Sequence, residues 1–238
     1  MKTKIMRIAT MAVMMLAAMS MAEAQESANG GGGTRYTSGP CLPAIHAMED
    51  HQSAWCYIDQ ITALTAGWNW VSFNAKINMA DLQEALLAAY PNPSMNALVV
   101  KSKGNGQTAY NPTAHRWIGS LTTLDLSQMY MVKVPTAHEI TMVGMPVKPA
   151  DHPATIAPGA NWIAFPLGQS MSITDAFAGF PTNGDIIKAK GGGQATWNST
   201  ANRWIGGLSN TPLEPGHGYI YNSKATEDRT FTFPVSAK

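Results

Sequence analysis

Apolar and polar positions fall into two rhythms along this chain. Residues 67–73, Gly-Trp-Asn-Trp-Val-Ser-Phe, are aromatic and β-branched with polar interruptions, which reads as a short strand. From Met79 to Tyr90 the rhythm changes, and Leu82, Leu86, Leu87 and Tyr90 recur at helical spacing. Asn78 is placed to cap that helix and Pro91 to end it. Ala97–Lys103 and Gln107–Tyr110 then read as a hairpin around Gly104-Asn105-Gly106, because Asn and Gly tolerate positive φ. Two further strands are expected near Arg116–Leu121 and Gln128–Pro135, and a last one near Glu139–Val143. The unit is β-α-β-β-β-β, and its mostly short connections predict antiparallel pairing.

The same order of blocks occurs again. Gly159-Ala-Asn-Trp-Ile-Ala-Phe165 answers the first strand, and Lys188-Ala-Lys-Gly-Gly-Gly-Gln194 answers Lys101-Ser-Lys-Gly-Asn-Gly-Gln107. Asn198-Ser-Thr-Ala-Asn-Arg-Trp-Ile-Gly-Gly-Leu208 answers Asn111-Pro-Thr-Ala-His-Arg-Trp-Ile-Gly-Ser-Leu121. Met129-Tyr130-Met131 aligns with Gly218-Tyr219-Ile220, and the last strand has its partner in the second copy at Thr230–Phe233. The second helix, Ser172 to Phe180, is shorter, which accounts for a deletion between blocks. A repeated period of about 80–90 residues predicts two tandem homologous units, and a β-dominated α+β fold. Unit 1 spans 61–147 and unit 2 spans 154–235. Val147-Lys-Pro-Ala-Asp-His-Pro153 joins them and is expected to limit their freedom.

The N-terminus changes the picture of where the protein works. Lys2, Lys4 and Arg7 precede an apolar run from Ile8 to about Met19, and Ala22-Glu23-Ala24 offers a small-x-small cleavage pattern. Residues 1–24 therefore read as a secretory signal peptide. The expected localisation is exported: periplasm, cell surface or extracellular. No later segment is long and apolar enough for a transmembrane helix. Residues 25–40, with four consecutive glycines, read as a flexible leader. Residues 41–60 form a segment bounded by Cys41 and Cys56. In an oxidising compartment these two cysteines are expected to form a disulfide. A metal site with His46, Glu49, Asp50 and His51 is the competing reading. It is disfavoured because His46 and His51 are off the spacing that puts two ligands on one helix face. No metal or other cofactor is expected.

Charged residues are only 13% of the chain, about half the usual share. Without Lys2, Lys4, Arg7 and Glu23 the mature chain keeps 13 basic and 14 acidic residues, a net charge of −1. That balance gives no footprint for nucleic acid, which calls for a basic patch.

Candidate chemistry is sparse. Trp70/Trp162 and Trp117/Trp204 occur in both copies and are expected in the core. Trp68 and Trp197 align with Ala160 and Tyr110, so Trp68, Trp197 and Tyr110 are better placed to bind a ligand. Asn69/Asn161 are expected to satisfy backbone groups near the strand end. Asn111/Asn198 and Arg116/Arg203 bracket a turn, and the arginine could grip a carboxylate bidentately. Lys-x-Lys-Gly-x-Gly lies between two strands, so it reads as a hairpin and not as a phosphate loop. No catalytic residues are assigned. There is neither Gly-x-Ser-x-Gly nor His-Glu-x-x-His, and no histidine holds a repeated position. Asp185 is the most plausible lone carboxylate, with a turn role as the plainer reading.

The blocks Gly-Trp-Asn-Trp-Val-Ser-Phe, Arg-Trp-Ile-Gly-Ser-Leu and Pro215-Gly-His-Gly-Tyr219 resemble a β-rich repeat of secreted and surface proteins from Bacteroidetes-type bacteria. The resemblance covers roughly residues 61–235 and implies location and architecture, not chemistry. Ser127-Gln128 departs from it where the second copy has Gly216-His217, which puts the first copy's last turn in question. Together these readings lead to a non-enzymatic extracellular or cell-envelope binding module with a glycan or protein partner. The alternatives are a structural or assembly unit of the envelope, or a secreted hydrolase with its site in one copy. The oligomeric state is left open.

Overall fold

The computed structural model describes residues 36–38, as backbone, and 57–235. The signal peptide, most of the leader, Cys41 and Cys56 lie outside the described residues. The fold is β-dominated α+β, and its strand pairs are all antiparallel.

In the first half, β3 (Gly67–Val71), β5 (Val99–Lys101), β6 (Gln107–Asn111), β7 (Arg116–Gly119) and β8 (Tyr130–Val134) make a five-stranded sheet in the order β3-β8-β5-β6-β7. In the second half, β11 (Gly159–Ile163), β12 (Ile186–Ala189), β13 (Gly193–Asn198), β14 (Arg203–Gly206) and β15 (Tyr219–Ser223) give β11-β15-β12-β13-β14, which is the same order. Trp70 and Trp162 occupy matching registers, opposite Met131 and Ile220. Arg116 and Arg203 do likewise, opposite Asn111 and Asn198.

A second layer differs between the halves. β1 (Tyr36–Ser38), β2 (Ile58–Leu64), β4 (Ala75–Lys76) and β9 (His138–Pro146) form a four-stranded sheet. Its counterpart is only β10 (Ala154–Ile156) with β16 (Arg229–Phe231). β2 begins at Ile58, ahead of the expected boundary at 61 and within the expected 41–60 segment.

Helix α1 (Met79–Ala89) follows the apolar spacing, with Met79, Leu82 and Leu86 buried. Asn78 caps it with a reciprocal Asp81 contact, both side chains accepting from backbone N–H groups. Its counterpart α2 (Ile173–Ala176) is a single turn, shorter than the expected 172–180. Aromatic rings gather at its C-terminal end. Phe177 stacks on Phe231 at 4.8 Å, and Trp204, Tyr221 and Phe233 pack around it. The first core is mainly aliphatic and the second is much richer in aromatic rings.

Local chemistry explains several repeated residues. The Asn69 side chain accepts from Thr65 N and donates to the carbonyls of Thr65, Gly67 and Val132. Asn161 does the same with Ala157, Gly159 and Tyr221. Both asparagines therefore serve the backbone, in agreement with the sequence reading. The turn before β7 needs a left-handed residue: His115 and Asn202 both have φ of 49°. That demand accounts for His115 without any chemistry. The glycine of Arg-Trp-Ile-Gly recurs because the partner strand is too close for a side chain. A Cβ would lie 2.1 Å from Gln107 O at Gly119 and 2.4 Å from Gln194 O at Gly206. In the β5–β6 loop only Gly106 takes a positive φ; Asn105 does not. Buried Gln60 clamps the chain after β3, accepting from Asn74 N and Ala75 N and donating to Ser72 O.

The last turn of the first half is intact despite Ser127-Gln128. Gln128 N donates to Asp125 O at 3.1 Å as His217 N does to Glu214 O at 3.3 Å. Asp125 N and Glu214 N donate to the hydroxyls of Tyr130 and Tyr219.

The two halves are locked by a reciprocal exchange within one compact unit. Ser72 N donates to Gly216 O and Gly218 N to Trp70 O, while Ala164 N donates to Ser127 O and Met129 N to Trp162 O. Val71 bridges His217 as Ile163 bridges Gln128. Lys190 Nζ crosses to Thr65 and Asn69, and Lys103 Nζ crosses to the Ala160 carbonyl. The junction has the self-complementary form of an isologous dimer interface, written in one chain. Equivalent residues meet at its axis, and a Cβ on Gly218 would lie 2.3 Å from Met129 Cβ.

Burial raises the hydroxyl pKa of Tyr221 and Tyr219 well above the usual value. The hydrogen bond from Tyr221 to Asp185 pushes the same way. Each folded-state value lies above the unfolded one, so the protonated phenols stabilise the fold below pH ~10 and that support is lost as pH rises above it. The loss is about 1.4 kcal/mol per pH unit for each such tyrosine. The urea midpoint should fall steeply above pH ~10, with tyrosinate absorbance from these residues appearing only on unfolding. A midpoint flat through that range would contradict the burial of these hydroxyls.

Candidate functional site

A polar concavity lies at the junction. The β5–β6 loop, the turn before β8 and the β10–β11 corner enclose about 380 Å³. Its walls include Trp162, which is half-buried, with Asn105, Asp125, Gln128 and Thr155. The Asp125 carboxylate is fixed in place, accepting from Ser127 N, Ser127 Oγ and Gln128 Nε2 at 2.7–2.9 Å. Lys103, reaching to the Ala160 carbonyl, ties the loop to the opposite wall. An aromatic face beside amides, a hydroxyl and a carboxylate can hold a polyhydroxylated ligand. An indole can cover an apolar sugar face while polar groups exchange hydrogen bonds with hydroxyls.

The equivalent positions on the other side of the axis are built differently. Lys190 stands for Lys103, Glu214 for Asp125 and His217 for Gln128, with His217 Nε2 3.9 Å from the Glu214 carboxylate. The loop there is Gly191-Gly192 where the first has Gly104-Asn105, so it presents no side-chain amide. A second hollow of about 400 Å³ beside α2 is lined by Ala176, Gly179, Phe231 and Pro234. Its carboxylate, Asp175, already accepts from Ser172.

The residues expected to bind do not gather in one place. Trp68 is 40% exposed on the outer face of β3. Tyr110 and Trp197 instead turn inward, half-buried, and meet Trp117 and Trp204 edge to face. Arg116 and Arg203 are exposed on β7 and β14, each at the far edge of its sheet from β3 or β11. The expectation of a core role holds for Trp204 and is corrected for Trp70 and Trp162. Those two alternate with the buried Asn69/Val71 and Asn161/Ile163, so they face outward and are only half-buried. Trp117 is also half-buried, against the first core.

Asp185 is fully buried and structural. It accepts from Thr182 N, Lys224 N, Tyr221 OH and Arg229 Nη2. Among the described residues no cluster of three or more His, Cys, Asp or Glu could hold a metal ion, and no helix is long and apolar enough to cross a membrane. No protein-family model matches the chain, and neither a curated protein nor a solved structure does. The cleft escaped sequence reading because its walls come from segments distant in the chain. Trp162 within a repeated block was the one available signal.

Proposed function

We propose that this is an exported, non-enzymatic binding module that holds a glycan in the cleft at the junction of its halves. The carrying observation is that Trp162 lines one hollow together with Asn105, Asp125 and Gln128. Export rests on residues 1–24, whose basic, apolar and small-residue regions follow the order of a signal peptide.

The test is calorimetry and tryptophan fluorescence on the mature chain against a panel of neutral and acidic oligosaccharides. At least one should bind more tightly than about 1 mM, and Asn105→Ala or Gln128→Ala should weaken it about tenfold. Failure of the whole panel with folded protein, or binding indifferent to both substitutions, would remove the cleft from consideration. A second reading, an envelope assembly unit, draws on Ile118 and Ile205. Both are 46% exposed on the terminal strands β7 and β14, whose outer edges carry no partner strand among the described residues.

A further inference from the structure

Charge is segregated in this fold. All acidic residues of the chain lie outside the ten strands of the two five-stranded sheets. Those strands nevertheless carry Lys101, Arg116, Lys133, Lys188 and Arg203. Alternation sends their inward positions into the cores, so these basic side chains stand on the outer faces.

The first sheet adds an aromatic. Register runs Trp68, Lys133, Val99, Ala109, Ile118 straight across it. Lys101 is diagonal to Lys133, and Arg116 stands two residues from Ile118. Lys101, Lys133 and Arg116 enter no ion pair among the described residues. The five strands span roughly 19 Å at ordinary spacing, enough for a short run of sugar rings. In the second sheet Ala160 takes the place of Trp68.

We propose that the outer face of the first sheet docks an anionic polysaccharide, with Trp68 stacking on a sugar ring and Lys101, Lys133 and Arg116 meeting its carboxylates. Arg116 can grip one carboxylate through two N–H groups, and the lysines act as point charges. Three spaced cations beside a stacking ring suit a sparsely charged uronate chain. A nucleic acid, with a charge on every residue, calls for a denser basic stripe than a mature chain of net −1 supplies. This inference rests on the binding-module reading but uses a different surface from the cleft, and the experiment separates the two.

The mature chain would be titrated with polygalacturonate, with dextran as the neutral control. Polygalacturonate should bind, weakening as salt is added, and dextran should not. Trp68→Ala and the Lys101→Gln/Lys133→Gln pair should each weaken binding about tenfold, while Gln128→Ala in the cleft leaves it unchanged. Lys148→Gln/Lys224→Gln, exposed positions elsewhere, should also leave it unchanged. The proposal falls if the polymer is not bound, or if the Lys148/Lys224 pair weakens it as much as the Lys101/Lys133 pair. Equal affinity for a DNA oligomer, insensitive to Trp68→Ala, would assign the face to nucleic acid instead. Loss confined to Gln128→Ala would return the acidic sugar to the cleft.

Discussion

Replacing Asp185 with alanine should destabilise the protein by about 3–5 kcal/mol, the cost of removing one partner from a buried ion pair. Four donors lose their acceptor at once: Thr182 N, Lys224 N, the Tyr221 hydroxyl and the Arg229 guanidinium. Arg229 cannot swing away freely. It also donates to Phe180 O, and its guanidinium lies 4.2 Å from the centre of the Phe180 ring. The first half shows that the position does not need a charge, because Leu98 and Val132 stand where the second half has Asp185 and Tyr221. The triple variant Asp185→Leu, Tyr221→Phe, Arg229→Met should therefore recover part of the loss. It cannot recover all of it, since two backbone N–H groups remain without an acceptor. Urea unfolding of the single and triple variants measures both. A single variant within about 1 kcal/mol of the parent would mean that water or a neighbour replaces the carboxylate, and that the buried network is not what holds β12, β15 and β16 in place.

The second large effect is expected at the axis of the junction. Gly218→Val should cost about 3 kcal/mol, because side-chain atoms would be forced onto Met129 in a packed contact. The backbone there cannot shift to relieve the clash without giving up the hydrogen bond from Gly218 N to Trp70 O. Two equivalent positions face each other, so only one of them can carry a bulky side chain. Exchanging them, Met129→Gly with Gly218→Met, should restore much of the stability that Gly218→Met alone removes. The double-mutant cycle measures this as a coupling of more than about 1 kcal/mol. Additive losses would show that the two sites do not share one space.

This pair also shows what a sequence can and cannot reveal. Aligning Met129 with Gly218 exposes the mismatch, but only the fold shows that the mismatch is required. The helix at Met79–Tyr90, the repeated strands and the roles of Asn69 and Asn161 were legible because each depends on neighbours close in the chain. The sheet order and the reciprocal junction were not, since they pair segments far apart. Trp70 and Trp162 were misread as core for the same reason. A large apolar residue in a strand gives no sign of its face until the pairing is known. Trp197 and Tyr110 erred the other way: they are each other's counterparts without being identical, yet both anchor the inner side. For the cleft, Asn105, Gln128 and Trp162 each looked ordinary alone.

The short linker proves less important than its prolines suggest. β3 is flanked by β8 on one side and by residues 216–218 on the other, and β11 by β15 and residues 127–129. These four segments close a ring to which each half contributes two. Neither half alone can pair the free edge of β3 or β11, so both should melt in a single transition. A chain severed between Val147 and Pro153 should stay assembled, because the ring and not the peptide connection carries the attachment.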